Sequence, residues 1–213
     1  MDTQRVIVYV DGFNFYYGLK KNIKWRQYYW LDMVNFFEKF MKPYQNLVSV
    51  KYFSARPDNP DKARRQSTFF QANKENIKFQ LILGKYLCKY ITCYNCGYTI
   101  QTYEEKESDV RIATQIVNDA HNHNCDVAIV VSADSDMIPA IELAQKAGTK
   151  VYVYFPPFQH SNSLASITPS NVIKLERYES RFRQCIMPDS VYLASSNYNL
   201  SIPTKWKEYQ HSW

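Results

Sequence analysis

Two stretches of nearly unbroken apolar sequence, residues 5–10 (RVIVYV) and 125–132 (CDVAIVVS), set the pattern of the chain. Short β-branched runs bounded by turn formers fit strands buried on both faces of a parallel sheet, because a half-solvated strand alternates apolar with polar. The first run ends at Asp11-Gly12 and is expected to be the central strand; the second leads into the acidic turn Ala133-Asp134-Ser135-Asp136. Residues 30–41 carry apolar side chains at helical spacing and stop before Pro43, and residues 46–55 (NLVSVKYFSA) predict the next strand, completing a β-α-β unit. Residues 60–76 predict a basic amphipathic helix with Ala63, Phe69 and Phe70 inward and Lys62, Arg64, Arg65 and Lys74 outward, on a solvated face as the simpler reading or a phosphate-contacting one as the alternative. Residues 79–92 and 98–103 read as extended, hinged at Cys93-Tyr94-Asn95-Cys96-Gly97. A stripe of Val110, Ile112, Ala113, Ile116, Val117 and Ala120 predicts a helix over 108–121, opened by Ser108 or Asp109. A further helix over 137–147 closes at Gly148, and residues 150–155 (KVYVYF) and 171–175 predict the last strands.

This alternation implies an α/β fold with a mostly parallel central sheet, right-handed crossovers and helices on both faces. Residues 1–187 are expected to form the domain, with a hairpin insertion around 79–103. The tail, 188–213, has no period but holds Tyr192, Tyr198, Trp206, Tyr209 and Trp213, too many rings for a free linker, and is expected to pack on the domain or on a partner.

The 213 residues suit one decorated core, and 46% apolar with 22% charged residues is ordinary for a globular protein. Aromatics reach 16%, with 18 Tyr; packing is the simpler reading of them, although exposed rings also stack on unpaired bases. A formal charge of +6 favours a polyanionic partner without identifying it. No apolar run is long enough for a membrane span and the N-terminus lacks the layout of a signal peptide, so a cytoplasmic location is expected. Five cysteines then argue for reduced thiols or a metal site rather than a disulfide framework.

The chemistry is concentrated in Asp11 and Asn14 after the first strand, Asp109 at the head of a helix, and Asp134 and Asp136 after the second apolar strand. Singly, each acid is an ordinary helix cap or turn former. In an open parallel sheet, however, the loops at the carboxyl ends of strands converge on one rim. Carboxylates gathered there repel one another unless a cation compensates, and hard oxygen donors select Mg2+ or Mn2+ over zinc. A dication so held can polarise a phosphodiester and activate water.

Asp11-Gly12-Phe13-Asn14, residues 105–110 (EKESDV) and residues 131–136 (VSADSD), in this order, resemble the motifs of NYN domains, the LabA-like branch of the PIN-like nucleases. The resemblance spans about residues 6–175. It implies a Rossmann-like, three-layer PIN-type fold and a metal-dependent ribonuclease site acting on RNA, single-stranded by expectation, with a homodimer left open. Carried onto this chain, it makes Asp11 and Asp134 direct metal ligands, with Asp109 and Asp136 completing the shell directly or through water. Asn14 orients a phosphate oxygen or a ligand carboxylate; Ser132 and Ser135 are within reach of the same acids, with turn stabilisation the simpler role, and Ser132 is also a substrate-binding candidate; Lys106 either neutralises a scissile phosphate or is an ordinary solvated lysine, the simpler reading. Two departures stand out: Ala133 occupies a position where the family commonly has glycine, and Glu107 adds a negative charge beside the site. A non-catalytic RNA- or protein-binding module that keeps the fold and metal site is the alternative.

Cys88, Cys93 and Cys96 form a C-x4-C-x2-C run at the hinge that lacks a local fourth ligand; structural zinc is one reading and ordinary thiols are preferred. His121 and His123 enter only if the fold brings them near. Cys125 is expected in the core. The histidines have no triad or metal-protease spacing, the turn DGFNFYYG is not a dinucleotide-binding one, and Phe13 stands where an aspartyl phosphatase needs its second acid.

Overall fold

The computed structural model describes residues 3–210, and for residues 86, 87 and 102–105 the backbone alone. In chain order the elements are β1 (Gln4–Asp11), α1 (Gly12–Lys21), α2 (Met33–Glu38), β2 (Gln45–Ser54), α3 (Pro60–Lys74), β3 (Phe79–Leu83), β4 (Lys85–Thr92), β5 (Thr99–Lys106), α4 (Ser108–His121), β6 (Val127–Val131), α5 (Ile138–Lys146), β7 (Lys150–Phe155), α6 (Asn162–Ile167), β8 (Val172–Lys174), α7 (Glu179–Gln184), β9 (Ser190–Leu193), β10 (Tyr198–Ser201) and α8 (Thr204–Gln210). Short 3-10 helices lie at Ile23–Tyr29, Ser135–Met137 and Leu175–Tyr178.

Six strands form one sheet in the order β3-β2-β1-β6-β7-β8, every neighbouring pair parallel. From β1 the chain builds outward through β2 and β3, then returns to β6 on the other side of β1, so the strand order reverses between β1 and β6, the position at whose carboxyl ends open parallel sheets bind their ligands. Period-two alternation sends Val6, Val8 and Val10 of β1 into a core shared with α1, α2, α3 and α7, while Ile7 and Tyr9 enter a second core under α4, α5 and α6. Helices therefore cover both faces, as a fully buried parallel sheet requires. Among the described residues no helix is long and apolar enough to cross a membrane.

Several elements depart from the sequence expectation. The helix expected over 30–41 shrinks to α2, because the Asp32 side chain caps Asn35 N at 2.9 Å and starts the helix there. Ahead of it, Trp30 Nε1 donates to the Pro188 carbonyl at 2.9 Å and Leu31 bridges to Ile186. A helix of low-propensity residues, α1, follows β1 at once; the Asp11 cap and the burial of Phe15 and Leu19 hold it. Residues 79–83 join the main sheet as β3, so the excursion is the antiparallel β4–β5 hairpin alone. α4 opens at Glu107, in the left-handed region with φ 77°, and neither Ser108 nor Asp109 is its cap residue. The tail folds into the β9–β10 hairpin and α8, where the Trp206 ring lies 5.6 Å from that of Tyr29 and 6.4 Å from that of Phe69. Tyr192 and Tyr198 remain exposed, and Trp213 lies outside the described residues.

Candidate functional site

Residues 7, 9 and 11 of β1 share the face turned to α4, so the carboxylate ending the strand points to the same side as the α4 N-terminus. The register Val10↔Val131 sets Asp11 beside Ser132, whose hydroxyl donates to Asp11 Oδ2 at 3.0 Å. Asp11 is 4% exposed and accepts three further bonds: from Phe13 N at 3.1 Å and Asn14 N at 3.0 Å on Oδ1, and from Asn14 Nδ2 at 2.6 Å on Oδ2. Gly12 is required directly after it, because a Cβ there would meet both the Phe53 carbonyl oxygen and the Tyr52 ring at 2.5 Å.

The acidic turn is tied to the same point. Ser132 Oγ accepts from Asp134 N at 3.0 Å while donating to Asp11, and Asp134 Oδ1 accepts from Asp136 N at 2.9 Å. Ser132 thus both stabilises the turn and bonds a carboxylate. Asn14 is engaged at both ends of its amide, since Oδ1 accepts from Ala133 N at 3.4 Å while Nδ2 donates to Asp11; it clamps one loop to the other. Its carbonyl accepts from Gln159 Nε2, a contact from beyond Pro156-Pro157 that no spacing in the sequence announces. Ala133 is absent from the positive-φ residues described, so the missing glycine costs no backbone strain.

Burial is the main force raising the Asp11 carboxyl above its ordinary value; the bonds from Asn14 and Ser132 oppose it, and the charge of Asp134 adds to it. Asp109 is also raised, by burial first and then by the charges of Asp11, Asp134 and Asp136. The four acids from β1, α4 and the β6 turn therefore share one electrostatic neighbourhood, although solvent at the exposed Asp109 and Asp136 screens part of the repulsion. Among the described residues none of the four forms an ion pair. Glu107 does not add to the charge on the rim: Arg111, at 2.7 Å, and Lys85, at 3.3 Å, bind it and hold its carboxyl below the ordinary value. Lys106 ends β5 as an exposed residue opposite Lys85, at the base of the hairpin.

The donor set fits a hard dication: oxygen ligands, a place at the strand-order reversal, and negative charge without a basic partner. In this arrangement no three His, Cys, Asp or Glu of the described residues stand close enough to hold an ion together. A cation of the Mg2+ kind keeps most of its waters and takes one or two carboxylates directly, so acids spaced too widely for a closed shell still suit it. At the hairpin Cys88, Cys93 and Cys96 are free and exposed, while Cys125 is buried. Backbone N–H groups of Cys96 and Asn95 lower the Cys93 thiol.

Fold and rim together define a Rossmann-like α/β protein with its polar site at the strand-order reversal. The chain belongs to the NYN domain family, which matches residues 5–176 and falls within the PIN-like nuclease superfamily. Among curated proteins it is similar to the 6-hydroxy-3-succinoylpyridine 3-monooxygenase HspA of Pseudomonas putida, with 28% identity over 174 residues. That alignment takes in 65% of this chain and 55% of the relative, so the chain spans about half of that protein's length. A crystal structure of a protein of unknown function from Vibrio parahaemolyticus has the same fold, with a TM-score of 0.54 and 22% identity, covering 80% of this chain and 92% of the other.

Proposed function

We propose that this protein hydrolyses phosphodiester bonds of RNA, using a divalent cation held over Asp11, Asp109, Asp134 and Asp136. The observation that carries the reading is that β1, α4 and the β6 turn bring Asp11, Asp109, Asp134 and Asp136 into one electrostatic neighbourhood at the β1/β6 rim, with none of them in an ion pair among the described residues. A bound Mg2+ or Mn2+ supplies the Lewis acidity that polarises a phosphoryl oxygen and acidifies water. Asp11, locked by four hydrogen bonds, is the fixed element of the site, and Asn14 and Ser132 set its orientation. Asp134 is held at the rim by its own backbone bond to Ser132, with Asp136 and Asp109 exposed toward water and substrate. In the reaction a water oxygen bonds to phosphorus, the bond from phosphorus to the leaving sugar oxygen breaks, and the proton of the water passes to a carboxylate of this group.

The spacing of the acids favours a second reading, a binding module that keeps the fold and does not cut, because no three of them form a ligand shell as they stand. The Pseudomonas relative's name sets a third reaction class, oxygenation of a substituted pyridine. One assay separates the first two: purified protein with end-labelled single-stranded and hairpin RNA in Mg2+ or Mn2+, with EDTA and Asp134→Asn as controls. The nuclease reading expects shortening that both controls abolish. Shortening that survives both controls, or RNA bound intact by the wild type, removes it.

A further inference from the structure

Beside the acid rim lies a cavity of about 550 Å3 between α1, α3 and α8, within the roughly 300–1,000 Å3 typical of ligand pockets. Tyr16, Tyr29, Tyr52, Phe69, Trp206 and Tyr209 form much of its wall. Five basic side chains line it, Lys20, Arg26, Lys62, Arg65 and Lys205, against one acid, Asp58. Among the described residues none of the five forms an ion pair, so their charge is as uncompensated as that of the aspartates next door. Arg26 is the least satisfied: its guanidinium lies over the Tyr209 ring at 5.8 Å, Nη2 makes a long 3.4 Å bond to the Lys20 carbonyl, and the buried Nε has no partner. Lys62 and Arg65, expected on a solvated helix face, both border the cavity.

The cavity, on the α1–α3 face of the sheet, reaches the chain directly after Asp11. Gly12 and Phe13, the residues directly after Asp11, belong to the cavity wall. Tyr52, on the same wall, has its phenol pushed up by burial and then by the charge of Asp11. Aromatic faces with unpaired guanidinium and ammonium groups beside them are the surfaces that take a planar base and its phosphate.

We propose that this cavity is a nucleotide subsite: one base of the substrate strand enters it and stacks on its rings, while the adjoining phosphate is held by Arg26 and Arg65. The assignment rests on the RNA reading and deepens it, since it places one nucleotide of the strand next to the acids.

The test uses Asp134→Asn protein, so that RNA stays intact, and a fluorescein-labelled strand of eight ribonucleotides read by anisotropy. Replacing Arg26 and Arg65 together by Gln is expected to weaken binding at least tenfold, with Tm unchanged as a check on folding. A strand of the same length made entirely of abasic ribose phosphates is expected to bind at least tenfold more weakly than the normal strand. A strand carrying 4-thiouridine is expected to cross-link to peptides that line the cavity, from α1, residues 23–29, α3 or α8; this arm needs no variant. Uridine and adenosine 5′-monophosphates added as competitors show whether a free nucleotide fills the subsite as well as a strand does, and competition by either supports the assignment. It is overturned if the abasic strand binds equally, if Arg26→Gln with Arg65→Gln changes nothing, or if cross-links fall only elsewhere. Displacement by a pyridine carboxylate but by neither nucleotide overturns it as well. Failure of the nuclease reading is seen separately, as intact RNA in the wild-type cleavage assay, whatever these binding results are.

Discussion

Helix α4 carries an aspartate near each end, and the two meet opposite surroundings. Asp119, 1% exposed, accepts from Lys51 Nζ at 2.5 Å, Tyr9 Oη at 2.8 Å and Asn124 Nδ2 at 3.0 Å. Burial presses its carboxyl upward, but those bonds and the Lys51 charge together hold it below the ordinary value. Asp109, at the other end, is raised by burial first and then by the charges of Asp11, Asp134 and Asp136, with no cation among the described residues to offset them. One aspartate fastens β1, β2 and α4 together; the other carries burial and repulsion without an ion-pair partner among the described residues. Uncompensated charge of this kind lowers stability, and its persistence on this rim marks a place where a ligand completes the structure.

The widest separation of the two is expected in activity. Asp109→Asn should lower RNA cleavage by about a hundredfold or more, because even outer partners of metal sites are typically worth 10- to 100-fold. Initial rates on a labelled strand, with Tm showing an intact fold, check this. The compensated end should fail through stability instead. Lys51→Met strands a buried carboxylate and is expected to cost about 3–5 kcal/mol, or roughly 10 °C in Tm, while Lys51→Met combined with Asp119→Leu recovers most of it. Thermal melts of the three proteins measure the difference; equal Tm values for wild type and Lys51→Met would remove the distinction.

Acid titration sharpens the contrast further. Because the Asp119 carboxyl is lowered in the fold, its contribution is present above the unfolded value near 4 and is lost as pH falls through the lower folded value. Asp11 and Asp109 act in the opposite sense: raised in the fold, they keep protons that the unfolded chain has released, so their contribution declines as pH rises past about 4. Urea midpoints between pH 2 and 6 should therefore fall less steeply on the acid side in Asp119→Asn than in wild type. The smallest effect expected is on Asp109→Asn without metal, whose Tm should equal or slightly exceed that of wild type.

What could be read in the sequence follows from how local each feature is. The strands β1, β6 and β7 and helix α4 were legible because continuous apolar runs and a 3.6-residue stripe are encoded within a dozen neighbouring positions. That Asp11, Asp134 and Asp136 stand at strand ends and Asp109 in the first turn of a helix was legible from the same runs. α1 was not, since GFNFYYGLKK has two glycines and four rings, and it is a helix only because Asp11 caps it and the sheet buries one side. Neither was the Lys51–Asp119 pair, whose partners lie 68 residues apart. The cavity was equally hidden, for its walls combine residues between Gly12 and Tyr209 that no periodic pattern connects.

The most direct test of the account is a titration of wild-type protein with Mn2+, followed by electron paramagnetic resonance of the free ion, alongside Asp109→Asn and Asp134→Asn. The account predicts one site filling in the wild type and weakened at least tenfold in each variant. Equal uptake by all three proteins, or none by the wild type at millimolar Mn2+, would contradict it.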